Sequence, residues 1–255
     1  MGAMQKLAGL MRRAIEKYDM IQPGDRIAVG VSGGKDSVAL LVGLCKLRDY
    51  IGIPYEVVAI TLDPCFGGVE TDYSPIAQLC EQLGVEYVLK RTEIGQIIFD
   101  VRNESNPCSL CARMRRGCLH DAAKENNCNK IALGHHFNDV IETTVMGMFY
   151  GSQLQAMPPK LHSDNFEGME LIRPMYCIHE ENIIAWRQYN QLEFIQCACR
   201  FTENCTICDN GGGGSKRQEI KTLLRRLKRD NHFLKKRNNY THLHRRLMLF
   251  LQNNL

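Results

Sequence analysis

The sequence predicts an α/β protein built on a doubly wound parallel sheet, with a small helical extension at its C-terminal end. Three observations predict it. Short apolar runs alternate with helical stretches from Arg26 onward, the pattern of strand–helix–strand repetition. The best strands are rich in Val, Ile and Ala without polar alternation, as strands covered on both faces are. Finally, Ser32-Gly33-Gly34-Lys35-Asp36-Ser37 joins the apolar run 27–31 to the apolar run 38–44, so a strand delivers a glycine-rich loop onto the first turn of a helix.

Residues 4–24 read as a lead-in helix, with Leu7, Leu10, Met11, Ala14 and Ile15 on one face and a stop at Pro23-Gly24. Strands are expected at 26–31, 55–62, 87–89, 130–133 and 171–172, and helices at 36–47, 75–83, 109–126, 138–149 and 180–189. Ser74 offers an N-cap hydroxyl to the second of these helices, with Pro75 in its first turn. Residues 211–215 are a flexible connector by composition. Beyond them Ile220, Leu223, Leu224 and Leu227 form an apolar stripe, with Lys221, Arg225, Arg226 and Lys228 largely elsewhere on the turn. The expected domains are a lead-in helix over 1–24, an α/β domain carrying the cysteines over 25–209, and a connector with a basic extension over 210–255.

A chain of 255 residues with 44% hydrophobic and 24% charged content can bury a full core as a soluble globular protein. No apolar run approaches the roughly 18 residues of a membrane span. There is no signal-peptide stretch at the N-terminus, and Lys6 stands where a myristoylation signal needs Ser or Thr. A cytoplasmic protein with no membrane partner is expected. The net charge of +4 conceals an asymmetry: residues 216–255 hold 12 Lys/Arg and 2 Asp/Glu, a formal +10, against −6 for the remainder.

The glycines of the 32–37 loop let the backbone wrap an anion closely. Amides of the loop and of the helix N-terminus point at negative charge, helped by the helix dipole, and Lys35 adds a full positive charge. This is a phosphate site. It is not a Walker A loop, which needs four residues between Gly and Gly-Lys and then Ser or Thr: Gly30 and Gly34 enclose three, and Asp36 follows Lys35. Nor is it a dinucleotide G-x-G-x-x-G. Asp63 and Gly134-His135-His136 also follow strands, and ligands of doubly wound sheets bind outside the carboxyl ends of the strands, so all three loops should face one crevice. Carboxylates beside phosphates usually act through Mg²⁺. That role is open to Asp36 and Asp63, against turn and cap chemistry. One of His135 and His136 is a candidate ligand contact, while Asp139-x-x-Glu142 reads more simply as a helix cap.

Twelve cysteines in a chain read as cytosolic point to metal or catalysis rather than disulfides. Cys45 and Cys80 sit on apolar helical stripes and read as core. Cys108-x-x-Cys111 opens the 109–126 helix, where two thiols three residues apart face the same way and the dipole favours thiolate. Cys118 lies two turns on, roughly 10.5 Å along the axis, and reads as structural. Partners for the pair must come from Cys197, Cys199, Cys205 and Cys208. Three readings stay open on spacing alone. One is structural zinc through Cys108, Cys111, Cys205 and Cys208, at a separation far beyond the roughly 15–20 residues of a compact ribbon. The others are a redox or persulfide-carrying dithiol, and an iron–sulfur cluster held from both segments.

The string S-G-G-x-D-S resembles the PP-loop of ATP pyrophosphatases. With it go Cys108-Ser109-Leu110-Cys111-Ala112-Arg113-Met114-Arg115-Arg116-Gly117, Leu133-Gly134-His135-His136-Phe137-Asn138-Asp139 with Glu142-Thr143, Met148-Phe149-Tyr150-Gly151, Met157-Pro158-Pro159-Lys160-Leu161 and Ile172-Arg173-Pro174. In this combination, from about Met4 to Arg229, the chain resembles the tRNA 2-thiocytidine synthetase family. The resemblance implies an adenine nucleotide alpha hydrolase-like sheet that takes ATP and Mg²⁺ at Ser32, Gly33, Gly34, Lys35, Asp36, Ser37, Asp63, Gly134 and His135. Lys35 and Asp36 would act in catalysis with Cys108 and Cys111. It also implies a [4Fe–4S] cluster on Cys108, Cys111 and Cys205, which presents sulfur to an adenylated base carbonyl of tRNA, cytidine C2 first. The sulfur donor would be a cysteine desulfurase or inorganic sulfide, and a homodimer is admitted. A tRNA uridine thiolase family shares this logic. The competing classes are the same activation on a small molecule, and a non-catalytic nucleotide- and RNA-binding protein with zinc. The basic C-terminal region would hold RNA, and Arg113, Arg115 and Arg116 would gather tRNA backbone unless they form a solvated face. Three features depart from the family: Asn138 replaces the first of two aspartates, Cys197-Ala198-Cys199 is an extra pair, and the tail beyond Arg229 is unlike it.

Overall fold

The computed structural model describes residues 2–98, 107–152, 157–163, 166–190 and 216–230, with the backbone alone at 107–109. Strands β1 (Asp25–Gly30), β2 (Tyr55–Asp63), β3 (Glu86–Arg91), β4 (Lys130–Ala132), β5 (Lys160–His162) and β6 (Glu170–Ile172) form a sheet in the order β3-β2-β1-β4-β6-β5. β1 is parallel to both neighbours, with Ala28 opposite Val58 on one side and Ile131 on the other. β6 continues the parallel run and β5 closes the edge antiparallel. The chain walks outward from β1 through β2 and β3, then crosses back to β4, so the switch point lies between β1 and β4.

Helix α2 (Lys35–Leu47) connects β1 to β2, and α5 (Pro107–Glu125) lies between β3 and β4. The two crossovers step in opposite directions along the sheet. Right-handed connections therefore put the two helices on opposite faces. Helices α1 (Ala3–Lys17), α2 and α7 (Glu180–Tyr189) pack together. On the other face Ala28, Val58, Ile60, Leu62 and Ile131 meet Leu119, Ala122 and Ala123 of α5. The short helices α3 (Ser74–Leu83) and α4 (Ile94–Gln96) flank β3. Helices α6 (Phe137–Tyr150) and α8 (Lys216–Asp230) complete the described elements. The chain divides into two compact units: Met1–Asn138 with Pro158–Thr202, and Asp139–Met157 with Glu203–Leu255. Among the described residues no helix is long and apolar enough to cross a membrane.

The doubly wound sheet expected from the sequence is the one formed, with local differences. The lead-in helix stops at Lys17 rather than near residue 24, because Asp19 turns left-handed at φ 48° and Met20 and Ile21 bury as non-helical chain. Helix α3 starts at Ser74 itself, and the Ser74 amide donates to Asp72 Oδ1 at 2.8 Å, so Asp72 takes the capping role expected of Ser74. β5 is an addition to the expected strands: it is a three-residue, mostly exposed edge strand with no apolar run to mark it.

At the amino edge of the sheet, the buried Lys130 of β4 pairs with Glu170 of β6 and lies 3.4 Å from Asp25 of β1. Asp25 also accepts from Asn129 Nδ2 at 2.7 Å, and Lys160 of β5 reaches Glu170 at 3.2 Å. Three central strands are thereby tied at one end by charge. Burial pushes the Glu170 carboxyl up, but the bonds from Lys130 and Lys160 outweigh it and hold its pKa below the usual carboxylate value. A lowered folded-state pKa stabilises above the unfolded value, roughly 4.3, and the contribution is lost as pH falls through the folded value. Lys130→Met should therefore cost about 3–5 kcal/mol at neutral pH, and its denaturation midpoint should decline less than that of the wild type between pH 6 and pH 3. Parallel declines in urea titrations of the two proteins would show that Glu170 does not draw on Lys130.

Candidate nucleotide and cysteine site

The glycine-rich loop leaves β1 under firm restraint. The Val31 amide donates to Ile60 O at 2.8 Å, and Thr61 Oγ1 donates to Val31 O at 2.9 Å. Gly33 then adopts φ +81°, which costs a residue with a Cβ roughly 1–2 kcal/mol. Two hydroxyls close the loop: the Ser32 amide and Ser32 Oγ each lie 3.2 Å from Ser37 Oγ, and Ser37 Oγ donates to Gly34 O at 2.9 Å. Gly34 is the N-cap of α2. The first amides of that helix have no intrahelical acceptor and carry its positive dipole end.

Lys35 Nζ lies 3.0 and 2.9 Å from the two oxygens of Asp36 and 3.2 Å from Glu180 Oε1. Burial pulls the Lys35 ammonium down, but these two carboxylates outweigh it and hold its pKa above the usual lysine value. The lysine is therefore charged at neutral pH. His136 is buried, with Nε2 at 3.8 Å from Asp36 Oδ1. Glu180 is an addition to the site residues expected from the sequence. It opens α7, and its amide donates to Asn138 Oδ1 at 3.0 Å. Asn138 thus anchors the helix that brings Glu180 to Lys35. The only sequence signal is an acid at the start of a predicted helix, and nothing along the chain indicates that pairing.

Two of the three loops expected at one crevice do meet. A Cβ on Gly134 would stand 3.1 Å from Asp36 C and Ser37 N, so the loop after β4 passes directly against the first turn of α2. Asp63 behaves differently. It is 1% exposed, and its two oxygens accept the amides of Cys65 at 3.1 Å and Thr71 at 3.0 Å. That is turn chemistry within its own loop.

A cavity of about 270 Å³ opens beside the phosphate loop. Gly30, Val31 and Ser32 form one wall, and Ile60, Leu62 and Leu133 supply apolar surface. The remaining wall is α5, through Ala112, Arg115, Arg116 and Leu119. A crossover helix returns antiparallel to the strands it joins, so the N-terminal turn of α5 lies at the carboxyl edge of the sheet. Cys108 and Cys111 fall in that turn. Ala112, Arg115 and Arg116 are the part of the cysteine motif that borders the cavity, Arg116 from an exposed position. Arg113 is exposed.

Cys118 packs against the core beneath α5, as its spacing implied. Cys45 and Cys80 are buried, and burial pushes both thiols up to about 11. Cys197, Cys199, Cys205 and Cys208, the connector 211–215 and the tail beyond 230 lie outside the described residues. Among the described residues no three metal-ligating side chains gather. Asp139 pairs with Arg217 of α8 at 3.2 Å, and Glu142 is buried.

A hydroxyl-closed glycine loop between strand and helix, at the switch point of a doubly wound sheet, defines a nucleotide-binding PP-loop protein. The PP-loop domain model matches residues 5–200. The tRNA-cytidine(32) 2-sulfurtransferase of Geotalea uraniireducens is 40% identical over 225 residues, covering 88% of this chain and 85% of that protein. The enzyme of the same name from Geotalea daltonii is 39% identical over 234 residues, covering 91% and 88%. Among solved structures, the U34-tRNA thiolase NcsA from Methanococcus maripaludis with its [4Fe-4S] cluster shares the fold, with a TM-score of 0.69, 21% identity and coverage of 96% of this chain and 79% of that one. The chain belongs to the PP-loop family and, within it, to the family of the tRNA-cytidine(32) 2-sulfurtransferases.

The Gly134 contact yields a direct test. Gly134→Ala should press on the α2 backbone, destabilise the fold by about 1–3 kcal/mol and weaken ATP binding in calorimetry at least tenfold. Gly117→Ala on α5, where a Cβ meets nothing within 4 Å, should leave ATP affinity unchanged. Equal ATP affinity in both variants would remove the loop after β4 from the site.

Proposed function

We propose that this protein is an ATP-dependent tRNA sulfurtransferase that replaces the C2 oxygen of a cytidine by sulfur. The observation that carries this reading is the shared cavity: the phosphate loop and the helix bearing Cys108 and Cys111 open onto the same space. The names of the curated relatives support tRNA as substrate and cytidine as the base. A cytoplasmic location follows from that substrate.

Apolar walls with Ser32 at one end suit a nucleoside, with the phosphates on the loop amides. Lys35 would swing from Asp36 and Glu180 onto the departing pyrophosphate. The two carboxylates it leaves would repel a bare phosphate chain, which is the electrostatic reason Mg²⁺ would accompany ATP. The cytidine carbonyl oxygen attacks the α-phosphorus, the bond to pyrophosphate breaks, and a base–AMP adduct forms. Sulfide then forms the C–S bond at C2, and AMP leaves with the original oxygen. Arg115 and Arg116 stand where they would neutralise the leaving AMP.

The donor set is of the kind an iron–sulfur cluster needs. A C-x-x-C pair on a helix N-terminus favours thiolates, and a third thiolate from Cys205 would leave one position open. When bound by Cys108, Cys111 and Cys205, such a cluster would supply an iron at which sulfur can be carried.

Turnover with tRNA and a sulfide source should release AMP and pyrophosphate, and Lys35→Ala should lower the rate at least a hundredfold with the unfolding midpoint retained. ADP as the only nucleotide product would overturn the activation chemistry. Separately, anaerobically purified protein should contain about four irons per chain, lost on replacing Cys108, Cys111 or Cys205 by Ala. Stoichiometric zinc without iron would overturn the cluster, and loss in Cys197→Ala or Cys199→Ala with Cys205→Ala unaffected would move the third ligand upstream.

A further inference from the structure

In the second compact unit, α6 ends in a cluster of exposed large side chains: Met148 is 52% exposed, Phe149 66% and Tyr150 43%. Soluble proteins rarely leave such residues side by side without a use for them. Tyr150 is held in place by α8. Its hydroxyl donates to Glu219, and Lys216 Nζ sits 5.0 Å from the ring centroid. Arg217 fastens the same turn of α8 to Asp139 at 3.2 Å and to Thr143 Oγ1 at 3.0 Å. Phe149 is the most exposed of the three and stands open to solvent beside this fastened tyrosine.

Past that turn, α8 is open to solvent. Ile220 is its one buried residue, while Leu223 is 37% and Leu227 49% exposed. The apolar stripe read from the sequence is therefore docked only at its start. Around it stand seven Lys/Arg against two acids in fifteen residues, and Arg225 and Arg226 have no ion-pair partner among the described residues. Charge decides what could cover this surface. Residues 216–255 carry a formal +10, so the chain's own tail and the same face of a second copy would both bring like charge. A polyanion is complementary. The RNA phosphate backbone supplies the charge, and its unpaired bases supply flat apolar faces for an exposed ring.

We propose that Phe149, at the exposed end of α6, is a stacking platform for an unpaired base of the RNA substrate, with α8 as the adjoining phosphate contact. This rests on the tRNA reading above and extends it: the substrate must present a single-stranded loop to this unit, not only to the cavity. Phosphate contacts position without reading sequence, whereas stacking reads whether a base is unpaired.

The test uses the full-length protein and two RNAs, a stem-loop and a fully paired duplex of equal length, titrated by fluorescence anisotropy at several salt concentrations. Phe149→Ala should lower stem-loop affinity by about tenfold, leave duplex affinity unchanged and leave the slope of log K against log salt unchanged. Phe149→Trp should retain stem-loop affinity. The double variant Arg225→Gln with Arg226→Gln should weaken both RNAs and flatten the slope by roughly 0.7–0.9 for each phosphate no longer neutralised. ATP binding should be equal in all of them. Unaltered stem-loop binding by Phe149→Ala overturns the platform while leaving the sulfurtransferase reading intact. So does an equal loss on both RNAs, or a change of oligomeric state in that variant, which would make the face a protein interface. A wild-type protein that binds neither RNA would overturn the tRNA reading and the platform together.

Discussion

Parallel pairing of β1 with strands on both its sides is the constraint from which the site follows. Because β2 and β4 both run alongside β1, every connection between them has to return across a face of the sheet, and each returning helix starts at the carboxyl edge. Two positive helix ends are thereby delivered to the same place. The α2 end receives the glycine loop, closed by Ser32 and Ser37. The α5 end receives Cys108 and Cys111, whose ionised form the dipole favours. The glycine-loop motif and the segment of the cysteine pair come to one edge of the sheet through strand order, although more than seventy residues separate them.

Within that frame the contacts are close enough to be exacting. Gly134 lies so close to the backbone of α2 that a methyl group would stand 3.1 Å from Asp36 C and Ser37 N, so the end of β4 and the start of α2 are in tight contact. Lys35 is held charged between Asp36 and Glu180. An ammonium kept in this way is displaced only by a ligand that offers stronger negative charge. Asn138 contributes by tethering α7 and not by its charge: its amide oxygen caps the Glu180 amide, a bond an aspartate could also make.

The fold class and the phosphate loop were legible in the sequence because both are local signals. Unalternating Val, Ile and Ala mark buried parallel strands, and the glycine pattern marks the turn between β1 and α2. The places of Cys45, Cys80 and Cys118 were legible for the same reason, as helical stripes. What escaped was non-local or weakly patterned. β5 has three polar-flanked residues and no apolar run. The helix break after Lys17 depends on a left-handed Asp19, and Met20 and Ile21 are apolar enough to pass for a continued stripe. Glu180 reaches Lys35 across almost 150 residues of chain, and which arginines of α5 border the cavity depends on the rotation of the helix about its axis.

That rotation redistributes the cations. From the sequence, Arg113, Arg115 and Arg116 formed one group beside the cysteine pair, as ready to hold RNA backbone as to face water. In the structure they divide: Arg115, half-buried, and Arg116, exposed, border the cavity with Ser32, while Arg113 is exposed and outside its lining. A half-buried charge on a small cavity acts first on the groups inside it, whereas exposed cations act on what approaches from solvent, within a screening length of about 8 Å at physiological salt. The body of the chain carries a formal −6 over residues 1–215, a net charge that does not itself attract a nucleic acid backbone. The proposed RNA contact has the cations beyond residue 215 in its favour, and α8 carries seven of them on a helix that buries only Ile220.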